Sequence, residues 1–358
     1  MSELPFPSSF YINKLLFLIF LNMKVVRKIF DTSRKGQKIV TNIYSPPAAS
    51  SSVAKAGSKR LTLLITHANG FHKEIWEPTL KRLFSHQSDK WHIDKAVAMD
   101  AYNHGDSAVI NRSNISNEEL SSWFENSRDI LAVIRQLQEQ KECASGAQSI
   151  IGIGHSWGAS SLLLAEIASP LTFAALVLTD PVLHKTMKSE DGFIKTTKKR
   201  RWQWDDEKAA RAYFEGHHFF KIWDKRCLDL YIKYGLEEAG GKLVLKCRPT
   251  NEAAVFLGAT YSSSYATVNL WRVRCPTAFL TGETSLPGPP EYIRAIAQQM
   301  PDGRHEVMNG VGHLVVHEDP DRTADNIIGF FDGFAPKINS RAETAKSVQF
   351  AAAAQAKL

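Results

Sequence analysis

The sequence Gly-His-Ser-Trp-Gly at residues 154–158 constrains the fold of this chain more than any other stretch. It follows the apolar run 149–153 and precedes 159–166, a run rich in alanine and leucine. A strand that ends in Gly-x-Ser-x-Gly and turns at once into a helix holds its serine in a strained backbone, and the flanking glycines leave room for the turn. The amino end of that helix directs N–H groups and partial positive charge at the serine. We therefore predict that Ser156 is a nucleophile with an oxyanion site beside it.

Short apolar runs alternate with helical patterns along most of the chain. The eight predicted strands, of which the first two form a hairpin, cover 25–30, 37–44, 61–66, 97–100, 149–153, 173–179, 277–282 and 305–308. Strands that are buried on both faces and separated by helices build a mostly parallel sheet with helices on both sides. The sequence therefore predicts an α/β fold, and its 358 residues suffice for one large domain that carries an insertion.

The segment 183–268 breaks this alternation, because it is charged and rich in aromatic side chains. These include Trp202, Trp204, Tyr213, Phe214, Phe219, Phe220, Trp223, Tyr231 and Tyr234. We predict a helical cap over the carboxyl ends of the strands, where open α/β sheets bind ligands. Its aromatic rings are expected to form the core of the cap and to line an apolar substrate cavity. The core domain then comprises 24–182 and 269–335, between an N-terminal extension over 1–23 and a flexible tail over 336–358.

The formal net charge of +7 raises the question of an anionic partner such as nucleic acid. Much of the basicity is local, in the set Lys195, Lys198, Lys199, Arg200 and Arg201. A run of like charges is usually a solvated face, so we predict no nucleic-acid partner. The four cysteines are widely and irregularly spaced, which favours neither a disulfide framework nor a zinc site and indicates a reducing compartment.

The two ends of the chain carry opposite hints about location. The apolar run 15–21 is too short to span a bilayer and has no basic cluster before it or small-residue cleavage site after it. We therefore expect a packed or peripheral extension and no transmembrane span. The last residues, Ala356, Lys357 and Leu358, are close to the Ser-Lys-Leu address read by the peroxisomal import receptor, and the polar, alanine-rich tail is expected to leave them exposed. This ending predicts a peroxisomal protein with that receptor as a partner.

Polar residues follow two further predicted strands at their carboxyl ends. Residues 67–71, His-Ala-Asn-Gly-Phe, are expected to form a pocket whose backbone N–H groups point at a developing charge. Asp100, His104 and Asp106 follow the next strand, and we expect them to shape a turn.

A histidine follows the last predicted strand and two glycines. We expect this residue, His313, to lie on a mobile loop that can reach Ser156. His317 lies four residues later, but no third ligand accompanies this pair, so we predict a solvent or helix-start role for it and no metal or cofactor site.

These motifs, taken in order, resemble those of the α/β-hydrolase fold across about residues 25–335, with the cap inserted after the sixth strand. Three segments carry a narrower resemblance to fungal peroxisomal hydrolases, which include a peroxisomal lipase and hydrolases of host-selective toxin pathways. They are Asp-Ala-Tyr-Asn-His-Gly-Asp-Ser-Ala at 100–108, Leu-Lys-Cys-Arg-Pro-Thr-Asn-Glu-Ala at 245–253, and the Ala-Lys-Leu ending.

The resemblance implies a role for each motif. Ser156 is the implied nucleophile, His313 the general base, and the backbone amides of Asn69 and Trp157 the oxyanion hole. The third member of the triad departs from the family pattern, because the usual position of the acid, three residues after the glycine that ends the seventh strand, is occupied by a serine. The acid is then Asp180, at the end of the sixth strand, or Glu283, and we favour Asp180.

We therefore expect a serine hydrolase that cleaves an ester or thioester of a medium or long apolar acyl group, in fungal peroxisomal secondary metabolism such as host-selective toxin biosynthesis. An epoxide hydrolase or dehalogenase of this fold would need a carboxylate nucleophile in place of Ser156. Two alternatives stay open. One is a non-catalytic ligand-binding protein on the same fold, suggested by the serine at position 285, and the other is a cofactor-free lyase or perhydrolase.

Overall fold

The computed structural model of the protein describes residues 23–47, 58–86, 88–115, 120–140, 150–183, 191–300 and 302–335. The predicted extension, apart from Met23, and the predicted targeting tail lie outside these ranges. The strands are β1 Lys24–Asp31, β2 Lys38–Ser45, β3 Lys59–Thr66, β4 Trp91–Met99, β5 Ile150–His155, β6 Ala175–Thr179, β7 Gln203–Trp204, β8 Leu236–Ala239, β9 Lys242–Leu245, β10 Thr277–Gly282 and β11 Arg304–Met308.

Helices connect most of these strands. They are α1 Glu77–Ser85, α2 Gly105–Ile110, α3 Trp123–Glu139, α4 Trp157–Ala168, α5 Asp191–Lys199, α6 Glu207–Gly216, α7 Lys225–Gly235, α8 Pro249–Val268, α9 Pro290–Ala297, α10 Val315–Glu318 and α11 over 320–335. No helix within the described ranges combines the length and the apolar character that a bilayer crossing requires.

Eight strands form the main sheet, in the order β1-β2-β4-β3-β5-β6-β10-β11. The β1-β2 and β2-β4 pairs are antiparallel, and all the others are parallel. The central strands β3, β5, β6 and β10 are almost wholly buried, which is why their sequences are continuous apolar runs. The predicted eight-stranded α/β fold is confirmed, and the carboxyl ends of these strands meet at one edge of the sheet.

Both faces of the sheet are covered by apolar side chains. On one face, Trp76, Leu80 and Phe331 bring the residues around α1 and α11 against the strands. On the other face lie α3, α4 and α9, with Ile130 and Leu163 in the core. Helix α4 is buried on all sides from Trp157 to Ile167, since it lies between the sheet and other helices.

The inserted segment contains helices α5 to α8, as expected, and also a three-stranded sheet in the order β7-β9-β8, which was not expected. Its strands are two to four residues long, too short to leave a periodic pattern in the sequence. Helix α8 packs on the core domain, because Trp123 Nε1 donates a hydrogen bond to the carbonyl of Val255 at 3.0 Å and Ser121 N donates to that of Ala254 at 3.1 Å. The domain boundaries stay a prediction.

Candidate active site

Ser156 occupies a sharp turn between β5 and α4. Its backbone has φ 55° and ψ −120°, a conformation that non-glycine residues rarely adopt. A side chain at Gly154 would lie 2.7 Å from the backbone of Ala159, and one at Gly158 would overlap the carbonyl oxygen of His67. The turn is therefore fixed by close packing that only glycine permits at these two positions.

The side chain of His313 contacts both Ser156 and Asp180. Its Nε2 lies 2.9 Å from Ser156 Oγ, and its Nδ1 lies 2.7 Å from Asp180 Oδ1. Asp180 follows β6 directly and is fully buried. A carboxylate accepts only, so Nδ1 carries the proton and Nε2 is left as the acceptor of the serine hydroxyl. This tautomer is the one that can take the hydroxyl proton.

The second acid candidate, Glu283, is held elsewhere. Its Oε2 accepts the backbone N–H of Gly310 at 2.7 Å. At the position where the family places its acid, Ser285 donates a 2.6 Å hydrogen bond to Asp180 Oδ1, and Gly282 N donates to Oδ2 at 2.9 Å. The structure therefore brings Asp180, and not Glu283, to the histidine. The contribution of Ser285 was missed, because only the pairing of β6 with β10 brings it beside Asp180.

The loop that carries His313 is anchored at several backbone groups. Glu318 accepts the N–H of Gly312 at 2.8 Å and that of Leu314 at 3.1 Å. The Nε2 of His155 lies 2.9 Å from the carbonyl oxygen of His313 and donates to it. Burial and the charge of His313 lower the pKa of His155 to about 3, so its ring is neutral and keeps one N–H for this bond. The imidazole of His313 thus reaches Ser156 from an anchored loop, where we expected a mobile one.

The two predicted oxyanion amides lie on neighbouring segments. Trp157 is the first residue of α4, where a backbone N–H has no acceptor inside the helix. Asn69 lies in a tight turn that is closed by a 3.2 Å hydrogen bond from Phe71 N to Ala68 O. The first turn of α4 packs against the residue that leads into this turn, since a side chain at Gly158 would overlap the carbonyl oxygen of His67. The structure thus places both residues beside the serine turn.

Two buried histidines join the Asn69 loop to the end of β4. His67 Nδ1 donates to the carbonyl of Ala68 at 2.8 Å, and His67 Nε2 accepts the N–H of Ala101 at 3.1 Å. In the opposite direction, His104 Nε2 accepts the N–H of Gly70 at 2.9 Å. Burial lowers the pKa of both rings, so both are neutral and can accept. The turn role predicted for His104 is incomplete, because His104 also fixes the loop that carries Asn69.

Asp100 and Asp106 do shape the turn after β4. Asp100 is fully buried and accepts the N–H groups of Lys73 and Asp106, each at 2.8 Å. Lys73 Nζ lies 2.7 Å from Asp100 and 3.0 Å from Asp106, so these buried charges are paired. Lys246 of the inserted segment adds a 2.7 Å contact to Asp106, which ties this segment to the core.

The aromatic rings of the inserted segment reach the loop of Asn69. A buried set packs together and consists of Trp204, Phe214, Phe220, Trp223 and Tyr231. Phe71, two residues after Asn69, has its ring centre 5.4 Å from that of Trp223 and 5.8 Å from that of Tyr231. The rings of this set form the core of the inserted segment, and two of them, Trp223 and Tyr231, also pack against the loop of Asn69 through Phe71.

Of the two roles predicted for His317, the solvent role is wrong, whereas the residue does lie in the single turn of α10, as the helix-start role requires. Its ring is fully buried, with its centre 4.3 Å from that of Phe71 and 4.6 Å from that of Trp223. Burial lowers the pKa of this ring well below its ordinary value, so it is neutral and packs as an aromatic side chain. No group of three metal-ligating side chains is present among the described residues.

A model of the alpha/beta hydrolase family matches residues 63–326. The peroxisomal membrane protein LPX1 of Saccharomyces cerevisiae is 25% identical over 290 residues, which cover 75% of this chain and 74% of that protein. Its crystal structure superposes with a TM-score of 0.74 at 21% identity and covers 88% of this chain and 89% of that one.

Two other fungal proteins match over shorter spans. The type I acyl-CoA thioesterase mpaH' of Penicillium brevicompactum is 31% identical over 189 residues, 49% of this chain and 39% of the thioesterase. The abhydrolase domain-containing protein ACTT2 of Alternaria alternata is 25% identical over 232 residues, 52% of this chain and 84% of that protein. The resemblances that the sequence motifs indicated are confirmed by these matches.

Proposed function

Because the chain belongs to the alpha/beta hydrolase family, we propose that it is a serine hydrolase with Ser156 as nucleophile, His313 as general base and Asp180 as the orienting acid. The observation that carries the proposal is the unbroken line of contacts from Asp180 through His313 to Ser156, at 2.7 and 2.9 Å. Such a line of acid, imidazole and hydroxyl is the arrangement that activates a serine for acyl transfer.

The reaction proceeds in two steps. Ser156 Oγ attacks the carbonyl carbon of the substrate while His313 Nε2 takes the hydroxyl proton. The oxyanion accepts hydrogen bonds from the backbone N–H groups of Asn69 and Trp157, each worth about 3 kcal/mol in the transition state. His313 then returns the proton to the departing alcohol or thiol, which leaves an acyl-enzyme. A water molecule, deprotonated by the same histidine, releases the acid and restores Ser156.

The substrate that we propose is an ester or thioester of a medium or long apolar acyl group. The aromatic rings of Phe71, Trp223 and Tyr231 support an apolar acyl group, because Phe71 closes the turn that holds Asn69 and the other two rings pack against Phe71. The similarity to Penicillium acyl-CoA thioesterases supports a thioester, although the match spans less than half the length of those proteins.

We also propose that the protein acts in the peroxisome, in fungal secondary metabolism such as host-selective toxin biosynthesis. Support comes from the similarity to the yeast peroxisomal protein and to ACTT2 of Alternaria alternata, and from the residues Ala356, Lys357 and Leu358. A fluorescent protein fused to the amino end should enter peroxisomes with the intact chain and stay in the cytosol when these three residues are deleted.

A fluorophosphonate probe tests the chemistry directly. The folded protein should be labelled at Ser156, the Ser156→Ala variant should not, and hydrolysis of a p-nitrophenyl acyl ester should be lost in the same variant. Absence of an adduct on the folded protein would favour the non-catalytic binding protein instead. Turnover of the ester by Ser156→Ala at the wild-type rate would remove the serine from the mechanism.

A further inference from the structure

A cavity of about 350 Å³ lies where the inserted segment meets the core domain. Arg112, Lys198, Trp202, Arg248 and Asn251 are among the residues that line it, and we call it the basic pocket. Its volume lies within the range of about 300–1,000 Å³ that is usual for small-molecule sites. Lys198 belongs to the basic run for which the sequence predicted only a solvated face.

Positive charge predominates in the basic pocket. One carboxylate, that of Glu237, pairs with both Arg112 and Arg248, the latter at 3.4 Å. Lys198 is exposed and has no ion pair to another described residue. Burial and the charge of Arg112 lower the pKa of Arg248, as expected for guanidinium groups that lack sufficient counter-charge. An anion bound among these three cations would relieve their mutual repulsion.

The amino end of helix α8 adds to the positive charge of the basic pocket. Residues 249–251 form the first turn of α8 and line the basic pocket. Helix α8 is 20 residues long, and the amino end of a helix of this length carries a partial positive charge. This partial charge adds to that of the three cationic side chains, and charge-assisted hydrogen bonds from such side chains commonly hold phosphates in proteins.

The basic pocket also offers contacts for a planar, polar ring. The Trp202 side chain is about one-third exposed, and the guanidinium of Arg248 lies 4.8 Å from the centre of its ring. Asn251 is buried and donates through Nδ2 to the carbonyl of Asn103, whereas its Oδ1 has no hydrogen-bond partner among the described residues. Asn251 thus places an unpartnered acceptor in the wall of the basic pocket. Stacking, an acceptor and phosphate contacts together suit a phosphorylated adenine nucleotide.

The basic pocket is adjacent to the proposed oxyanion loop. Asn251, on its wall, is followed by Glu252, whose carbonyl accepts a 3.0 Å hydrogen bond from Asn69 Nδ2. The carboxyl carbon of Glu252 lies 3.0 Å from the point where a side chain at Gly70 would begin. Two consecutive residues of α8 thus join the two sites: Asn251 lines the basic pocket, and Glu252 contacts the loop of Asn69.

We propose that the basic pocket binds the nucleotide phosphates of coenzyme A, so that the substrate is an acyl-CoA thioester. This inference rests on the proposed serine hydrolase function and names its leaving group. The acyl group passes to Ser156 Oγ as the carbon–sulfur bond breaks. The thiol of coenzyme A then leaves with the proton from His313, and water releases the acid, so no further reactant is required.

Calorimetric titration of the Ser156→Ala protein tests the basic pocket without any turnover. Coenzyme A should bind tighter than 3′-dephospho-coenzyme A, and inorganic phosphate should bind weakest. Lys198→Glu should raise the Kd for coenzyme A about 10-fold, because it reverses a charge that faces the phosphates. Lys199→Glu is the matched control, since Lys199 is the exposed neighbour on the same helix and does not line the basic pocket, and it should change Kd less than about 2-fold.

Kinetics on the active enzyme separate the two proposals. Lys198→Glu should raise KM for an acyl-CoA about 10-fold and leave KM for the N-acetylcysteamine thioester of the same acyl group unchanged. Equal effects of Lys198→Glu and Lys199→Glu, or equal affinity for coenzyme A and inorganic phosphate, would overturn the inference while hydrolysis persists. If neither the thioesters nor the p-nitrophenyl ester is hydrolysed, the serine hydrolase proposal fails, and the titration still decides whether the basic pocket binds the nucleotide. Hydrolysis of the ester without hydrolysis of the acyl-CoA would overturn the inference and leave the serine hydrolase proposal standing.

Discussion

Ser285 Oγ donates a 2.6 Å hydrogen bond to Asp180 Oδ1, the carboxylate oxygen that also lies 2.7 Å from His313 Nδ1. Asp180 follows β6 and Ser285 follows β10, and the two strands are parallel neighbours, with Thr179 opposite Leu280. Their ends therefore meet at one point beside the histidine. A carboxylate can reach this point from either strand, and here β6 supplies it while β10 supplies a hydroxyl that supports it.

Exchange of the two candidate acids for amides should have very different effects. Asp180→Asn should lower kcat about 10⁴-fold, because an amide in place of the carboxylate favours the wrong tautomer of His313. Glu283→Gln should lower kcat less than about 5-fold, since the remaining amide oxygen can still accept the N–H of Gly310. Initial rates with a p-nitrophenyl ester measure both, and a larger loss for Glu283→Gln would transfer the acid role to that residue.

Ser285→Ala should lower kcat about 10-fold and leave KM nearly unchanged, since the lost hydrogen bond to a carboxylate is worth about 1.5–3 kcal/mol. Within the described residues, Asp180 is the hydrogen-bond partner of this hydroxyl. A double-mutant cycle measures whether the effect of Ser285→Ala on kcat depends on the carboxylate of Asp180. In the Asp180→Asn background, Ser285→Ala should cost less than about 2-fold more, because the hydroxyl acts through the carboxylate. Losses that multiply in the double variant would show an independent role for Ser285.

His104→Ala should lower kcat about 10-fold or more with little change in KM, because it leaves Gly70 N without its acceptor and frees the turn that holds Asn69. His104→Gln should restore much of the activity, since a glutamine side chain can place an acceptor near the position of Nε2. Thermal denaturation of both variants provides the control. If His104→Ala and His104→Gln are equally stable and lose the same fraction of kcat, the hydrogen bond to Gly70 N has no role in catalysis.

The features that the sequence predicted correctly are those with local causes. The turn at Ser156 depends on Gly154 and Gly158, and both belong to one motif of five consecutive residues that can be recognised in the sequence. The buried strands are continuous apolar runs, so their number and type could be read directly from the chain. The polar turn after β4 was likewise evident from its aspartates and glycine.

The features that were missed depend on contacts between distant segments. The environment of His317 comes from Phe71 and Trp223, which precede it by 246 and 94 residues and cannot be deduced from the spacing of two histidines. The choice between Asp180 and Glu283 was not missed, since Asp180 was favoured, but the sequence left it open because it depends on where β10 ends relative to β6. Lys198, Arg112 and Arg248 line one cavity, and this arrangement depends on how α2, α5 and α8 pack in the folded protein.

Glu166 couples the stability of the fold to pH. It lies on the buried helix α4, where Oε1 accepts the N–H of Leu171 at 2.8 Å and Oε2 accepts that of Phe173 at 3.3 Å. Burial raises the pKa of its carboxyl to about 7, against the lowering effect of these hydrogen bonds. Between about pH 4.3, where the unfolded chain titrates, and pH 7, the folded state binds more protons, so its stability falls as pH rises.

Glu166→Gln removes this titration and should cancel its share of the pH dependence. The free energy of unfolding of the wild type relative to the variant should be about 3 kcal/mol larger at pH 4.5 than at pH 8, so the wild type is relatively more stable at the lower pH, because each unit of pKa difference is worth about 1.4 kcal/mol. Urea denaturation at the two pH values measures this, with Glu139→Gln as the control at an exposed site on α3. A difference that is equal at both pH values, or larger at pH 8, would mean that Glu166 is ionised in the folded protein throughout this range.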